Sequence, residues 1–206
     1  MPIVTLTNQK GGCAKTTSAI NLSAGLAIIE RNLNPDNPKK ILLVDVDPQV
    51  QATKTVSGGV LSESAVQDTE RVQLYDLLIS DDPPPTVDTI EKALIPEIGG
   101  EKLDNLFYIY ASHARTAESQ EILATLDHRD YRLRDALDQV RGLFSWIIID
   151  TPPGLGWLLT NALVAADYVV VPVETSAYGL DGLVQTELTL TRVKKRINRG
   201  LQILGI

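Results

Sequence analysis

Four stretches of this chain are apolar almost without interruption: Ile3-Val4-Thr5-Leu6, Ile41-Leu42-Leu43-Val44, Trp146-Ile147-Ile148-Ile149 and Tyr168-Val169-Val170-Val171-Pro172-Val173. A strand with one solvated face alternates apolar and polar residues, so continuous runs of this kind predict strands buried on both faces. Between the first two runs, Ile20, Ala24, Ala27 and Ile28 share one helical stripe and Leu22, Leu26 and Ile29 another. This predicts a helix from Thr16 to Ile29 that is buried on more than one side. The polar, proline-broken segment Arg31 to Lys40 ends it. Strand, helix, loop and strand form a β-α-β unit, and such units join parallel strands.

The same reading places a short helix over Val72 to Ile79 and a strand over Leu106 to Tyr110, followed by a polar loop holding His113 and Arg115. Helices are predicted around Glu118 to Leu126, Tyr131 to Val140 and Leu180 to Ile197, and Leu201 to Ile206 opens one more core strand. Gly58-Gly59 and Asp81-Asp82-Pro83-Pro84-Pro85 interrupt the chain, and residues 50 to 104 carry no sign of a second domain. The expected architecture is α/β, a mostly parallel twisted sheet with helices on both faces.

Composition narrows the classes. A chain of 206 residues with 44% hydrophobic content suits one domain with a sizeable core. Met1-Pro2 leads straight into a strand, and no apolar run approaches the ~18 residues that span a bilayer, so a soluble cytoplasmic protein is expected. The single Cys13 excludes an internal disulfide or a multi-cysteine metal site, and reads as a small loop filler. His113 and His128 have no companions at metal-ligand spacing. A net charge of −7 argues against a generally basic nucleic-acid binder, so any contact with DNA must be local.

The chemistry concentrates where the first strand hands over to the first helix. Gly11 and Gly12 let the backbone bend so that successive N–H groups converge on phosphate oxygens, at the positive end of a helix dipole. Lys15 is placed to reach β- and γ-phosphates, and Thr16 to ligate Mg²⁺. The general pattern G-x-x-x-x-G-K-[ST] fails twice, at Gln9 and Ala14, and a second lysine, Lys10, precedes the glycine pair. Asp45 and Asp47 end the second strand, where open α/β sheets bind ligands. Asp150 ends the third apolar strand, before Pro152-Pro153-Gly154, and a carboxylate there is placed to sit beside Mg²⁺. Gly154 and Gly156 suggest a second mobile switch.

Lys10-Gly11-Gly12-Cys13-Ala14-Lys15-Thr16 resembles the deviant Walker A loop K-G-G-x-G-K-T of the ParA/MinD/Soj P-loop ATPases, with Ala14 as the one departure. A methyl group at that position is expected to tighten the loop or to demand a negative φ. Asp45-Val46-Asp47-Pro48-Gln49 and Asp150-Thr151-Pro152-Pro153 match the family's next two motifs in order. The resemblance implies that residues 10 to 17, Thr17 included, bind ATP or ADP. It further implies that Lys10, Lys15 and Asp47 are catalytic, Asp47 by orienting the attacking water, and that Thr16, Asp45 and Asp150 attend Mg²⁺, the two aspartates through water.

It also implies an ATP-dependent homodimer in which Lys10 reaches the partner's phosphates, slow hydrolysis stimulated by a ParB-like adaptor, and association with nucleoid DNA. Arg192, Lys194, Lys195, Arg196 and Arg199 are the DNA candidates, although basic residues also compensate a helix C-terminus without any ligand. The cargo of such proteins is a plasmid, a chromosome or an organelle such as a carboxysome. Residues 1–206 read as a single ATPase domain without the strand and helices with which family members usually continue. The alternatives are a MinD-like membrane ATPase, which needs a basic amphipathic anchor that this sequence does not contain, a P-loop kinase or ligase for a small molecule, and a scaffold that binds nucleotide without hydrolysing it.

Overall fold

The computed structural model describes residues 1–59, 71–94, 97–98, 101–174 and 177–206. In chain order these form β1 (Ile3–Leu6), α1 (Lys15–Leu33), β2 (Ile41–Asp45), α2 (Gln51–Val56), α3 (Leu74–Ile79) and β3 (Ile90–Lys92). There follow β4 (Glu97–Ile98), β5 (Glu101–Lys102), β6 (Leu106–Ile109), α4 (His113–Ile122), α5 (Arg132–Val140) and β7 (Trp146–Asp150). The last elements are α6 (Trp157–Ala165), β8 (Tyr168–Val170), α7 (Ala177–Arg196) and β9 (Gln202–Gly205). Among the described residues, seven strands make one sheet in the order β3-β6-β2-β7-β1-β8-β9, and β4 pairs with β5 in a second. Every pairing in the large sheet is parallel except β3 with β6.

The continuous apolar runs divide between two faces as the two-residue period of a strand demands. Ile3, Leu42, Val44, Ile147 and Ile149 pack on one side with residues of α3, α5 and α6. Val4, Leu6, Ile41, Leu43 and Ile148 pack on the other with α1 and α2. Each fully buried aliphatic side chain contributes about 1.5–3 kcal/mol, so the three central strands β2, β7 and β1 are held from both sides. That fixes the position of their C-terminal ends.

Three expectations need correction. Helix α1 buries one face: Ala19, Ser23, Ala24 and Ala27 lie against the sheet, whereas Leu22 and Ile29 are exposed. Small residues let the helix approach closely; Leu26 of the second stripe still packs against the core, and Leu22 and Ile29 are left pointing outward. His113 and Arg115 belong to α4, which starts well before Glu118, because Ser112 supplies an extended residue just before the first turn. The strand over Leu201 to Ile206 is present as β9, but it forms the edge of the sheet in this chain, with Ile203 and Leu204 more than half exposed. Among the described residues, no helix is long and apolar enough to cross a membrane.

Candidate functional site at the C-terminal edge of the sheet

The loop between β1 and α1 is tied down from several directions. Asn8 donates through Nδ2 to the Pro172 carbonyl at 2.8 Å and accepts the Lys10 N–H on Oδ1 at 2.9 Å. The Gln9 N–H donates to the Thr186 hydroxyl at 3.2 Å, and the Gln9 carboxamide donates to Gln185 O and Thr189 Oγ1. Helix α7 therefore grips the entry to the loop. Gly182 makes the approach possible, since a β-carbon there would lie 3.0 Å from both Asn8 Oδ1 and Lys10 Cβ.

Gly12 takes a φ of 77°, a left-handed conformation that glycine enters freely. Ala14 follows it there, with φ 61° and ψ 25°, as the residue that caps α1. The expected negative φ is overturned: continuation into α1, with the Ser18 N–H on the Ala14 carbonyl at 2.8 Å, needs the turn that glycine would supply. Alanine accepts it at a cost of about 1–2 kcal/mol.

The two lysines occupy different surroundings. Lys15 is buried, and its Nζ donates to the Lys10 carbonyl at 3.1 Å inside the loop, where the Cys13 thiol also donates to that carbonyl at 3.1 Å. The Lys10 ammonium instead leaves the loop and pairs with Glu174 at 2.5 Å. Gly11 and Thr17 are exposed, and Thr16 stands in the first turn of α1.

Three acids gather beside the loop because β2 and β7 end in register, Asp45 opposite Asp150, with Leu6 of β1 opposite Asp150 on the other side. Asp45 is buried, and its carboxyl accepts the Thr53 N–H at 2.9 Å and the Asp47 N–H at 3.1 Å. Burial first, and the facing Asp150 second, push its pKa up to about 8. Asp150 is sealed from solvent, and neither of its oxygens closes a hydrogen bond of normal geometry among the described residues. Burial raises its pKa to about 6, with the Asp47 carboxylate adding to the rise and the nearby Thr16 hydroxyl and Lys15 ammonium opposing it.

Asp47 is partly buried; its Oδ1 accepts the Gln49 N–H at 2.9 Å. Val50 follows at φ 46°, so the turn after Asp47 is strained.

An orphaned buried carboxylate, a facing hydroxyl and a second buried acid are the donor chemistry of a hard divalent cation. No cluster of three or more His, Cys, Asp or Glu that could hold a metal occurs among the described residues. Phosphate oxygens and water would complete a shell begun by these groups, the usual arrangement for Mg²⁺.

The basic candidates lie elsewhere. Arg192, Lys194, Lys195, Arg196 and Arg199 are all exposed and form no ion pair among the described residues. Helix α7 runs away from the loop, so Arg196 stands about 20 Å along its axis from Gly182 at ~1.5 Å per residue. Two cavities of about 610 and 620 Å³ open at the opposite edge of the sheet around Met1, Pro2 and Trp146; no loop or aspartate candidate lines them.

Several positions around the site were not singled out from the sequence: Thr186, Gly182 and Glu174, which hold the loop and Lys10, and Gln120, which packs against Gly156. The glycine inside the long α7 pattern was the only available signal among them.

The AAA-domain family profile matches residues 1–203. The sporulation initiation inhibitor protein Soj of Bacillus subtilis is 39% identical over 99% of this chain and 70% of its own length. The chromosome partitioning protein ParA of Myxococcus xanthus is 39% identical over 99% of this chain and 63% of its own. The chain therefore spans roughly two thirds of these relatives. Among solved structures, cobyrinic acid a,c-diamide synthase from Mycobacterium smegmatis with bound ADP and magnesium superposes with a TM-score of 0.79 at 27% identity, covering 100% of this chain and 74% of that one. A point variant of Cyanothece McdA in complex with ATP superposes at 0.81 and 23% identity, covering 100% and 68%, a likeness of fold. With the loop, the strand-end acids and these relatives taken together, the chain belongs to the ParA/MinD/Soj family of P-loop ATPases.

Proposed function

We propose that residues 1–206 form the nucleotide-binding domain of a ParA-type positioning ATPase, which binds ATP with Mg²⁺, dimerises on ATP and hydrolyses it slowly until a partner protein stimulates it. The observation that carries this reading is the placement of the two lysines: Lys15 lies inside the loop, whereas Lys10 leaves it for Glu174. A lysine that turns away from its own loop can exchange the Glu174 carboxylate for the phosphates of a second subunit.

In this reading the N–H groups of residues 11 to 17 and the Lys15 ammonium bind the phosphates. Thr16 would hold the magnesium ion directly, with Asp45 and Asp150 reaching it through water, and the ion would neutralise phosphate charge. Asp47, pinned through one oxygen by the Gln49 N–H, turns the other toward the attacking water. Lys10 crosses to the partner's phosphates in a closed dimer, where exclusion of water makes its charge most effective. Arg192, Lys194, Lys195, Arg196 and Arg199 contact DNA phosphates without reading sequence. Hydrolysis, by dissolving the dimer, releases the DNA and moves a cargo through the cytoplasm over the nucleoid.

The test is the light-scattering mass of wild type, Lys10→Ala and Asp47→Ala without nucleotide, with ADP and with ATP at fixed Mg²⁺. The reading expects an ATP-only dimer that Asp47→Ala keeps and Lys10→Ala loses. A mass indifferent to nucleotide in all three overturns it. A ligase for a small molecule is the second reading, favoured by the fold shared with the cobyrinic acid a,c-diamide synthase. Phosphate release with no acceptor present, increased by DNA, separates the two.

A further inference from the structure

Helix α4 touches both segments that flank the acids, one at each end. At its first residue, the His113 ring meets the Pro48 carbonyl through Nδ1 at 2.5 Å. A carbonyl only accepts, so Nδ1 carries the proton and donates. Pro48 is bonded directly to Asp47, and the turn they share is otherwise held by the Asp45 carboxyl, by Gln49 N–H on Asp47 and by Val50 N–H on the Asp47 carbonyl at 2.8 Å.

Two helical turns later, Gln120 Oε1 accepts the Leu158 N–H at 3.1 Å, in the first turn of α6. A β-carbon at Gly156 would overlap that same carboxamide. Residues seven apart lie on one face of a helix, so a single face of α4 holds the Asp47 turn with one residue and the Gly154–Gly156 turn with another.

The helix is itself fixed. Buried Gln73 accepts both the Ser112 hydroxyl at 2.6 Å and the Ser112 N–H at 3.2 Å, and Arg115 pairs with Asp76 of α3 at 3.3 Å while stacking on Tyr75. A rod anchored independently of both turns can set their separation.

We propose that α4 is the bridge that couples the Asp47 turn to the Gly154–Gly156 turn, with His113 positioning Asp47 through Pro48 and Gln120 positioning the start of α6. The kinetic part of this inference rests on the ATPase reading above; the structural part does not. Neither side chain touches reacting atoms. Their effect on turnover is through the placement of Asp47, and displacement by about 1 Å costs up to about a hundredfold in rate.

The test uses the whole chain with Mg²⁺·ADP and follows amide exchange by segment in wild type, His113→Ala, His113→Asn, His113→Leu and Gln120→Ala. His113→Ala and His113→Leu are expected to speed exchange at residues 46–53 by about fivefold, as loss of one hydrogen bond would. Because the turns are coupled, they also speed exchange at 154–160, and Gln120→Ala speeds both segments. His113→Asn, whose carboxamide offers a donor close to where Nδ1 stood, restores the wild-type pattern. In turnover, His113→Ala lowers kcat about tenfold or more with KM for ATP within about twofold, and His113→Asn recovers most of the loss.

Exchange changes confined to the mutated end overturn the coupling, and a wild-type pattern in His113→Leu overturns the role of the donor. Should His113→Ala loosen the entire sheet, the contrast between the Asn and Leu variants decides in its place. A wild type without ATP turnover refutes the proposed function and leaves the exchange arm standing.

Discussion

Asp150→Asn tests the electrostatic logic of the site most directly, because it separates stability from function. The buried carboxyl has its pKa raised from 3.8 to about 6. At about 1.4 kcal/mol per tenfold in proton affinity, that opposes folding by roughly 3 kcal/mol once the pH is well above 6. Asparagine has the same shape without the charge. Its carboxamide still lacks partners, which returns about 1–2 kcal/mol of the gain. The variant without divalent cation should therefore be more stable than wild type at pH 8 by about 1–2 kcal/mol, a rise in Tm of roughly 3–6 °C for a chain of this size.

With Mg²⁺·ATP the order reverses. A ligand at a hundred times its Kd stabilises wild type by about 2.7 kcal/mol, whereas the variant has lost the carboxylate that would hold the cation and gains little. Thermal unfolding at pH 8, with and without Mg²⁺·ATP, measures all four states. A variant less stable than wild type in the absence of both would show that the Asp150 carboxylate is satisfied in the folded protein, and the reasoning fails.

Three further outcomes follow from the same geometry. Ala14→Gly removes about 1–2 kcal/mol of left-handed strain and gives back about 0.5–1 kcal/mol in chain entropy, so a Tm rise of about 1–4 °C is expected in a thermal melt. In cation-free buffer, stability should fall as pH rises from about 4 to 8, because both Asp45 and Asp150 hold their protons more tightly in the folded state. The sign follows from Asp45, whose folded pKa of about 8 exceeds its ordinary 3.8: the folded state holds that proton more tightly, so its contribution is complete at acid pH and gone above about 8. Denaturant midpoints across that range check it. Removing Lys194, Lys195 and Arg196 together should flatten the salt dependence of DNA binding by roughly 0.9 for each phosphate that is no longer neutralised, measured by fluorescence anisotropy at several salt concentrations.

Much of the architecture was legible because its signals are local. Buried parallel strands advertise themselves as apolar runs, and Ile3–Leu6, Ile41–Asp45 and Trp146–Asp150 all became strands of the large sheet. The loop and the aspartates were legible for a related reason: their residue types follow directly on those strands, so knowing where a strand ends places the side chain. Helix burial was less readable. The two stripes of α1 are equally apolar, and only the sheet beneath decides that the alanine stripe packs while Leu22 and Ile29 stay outside. His113 looked like a loop residue because its neighbours are polar, and α4 forms there because Ser112 is anchored on Gln73, 39 residues away.

By itself, then, the sequence determined the strands, the order of the motifs and the identity of the groups that chemistry needs, all of which depend on residue type and short-range spacing. The tertiary structure alone decided the relations among them. It set Asp45 opposite Asp150 through strand register, left the Asp150 oxygens without a well-formed hydrogen bond among the described residues, forced Ala14 into a glycine's conformation and drew Lys10 away from its loop to Glu174, 164 positions along the chain. Strand order and register place residues distant in the chain within contact distance, and burial then sets what each charge costs; neither quantity is a property of any short stretch of sequence.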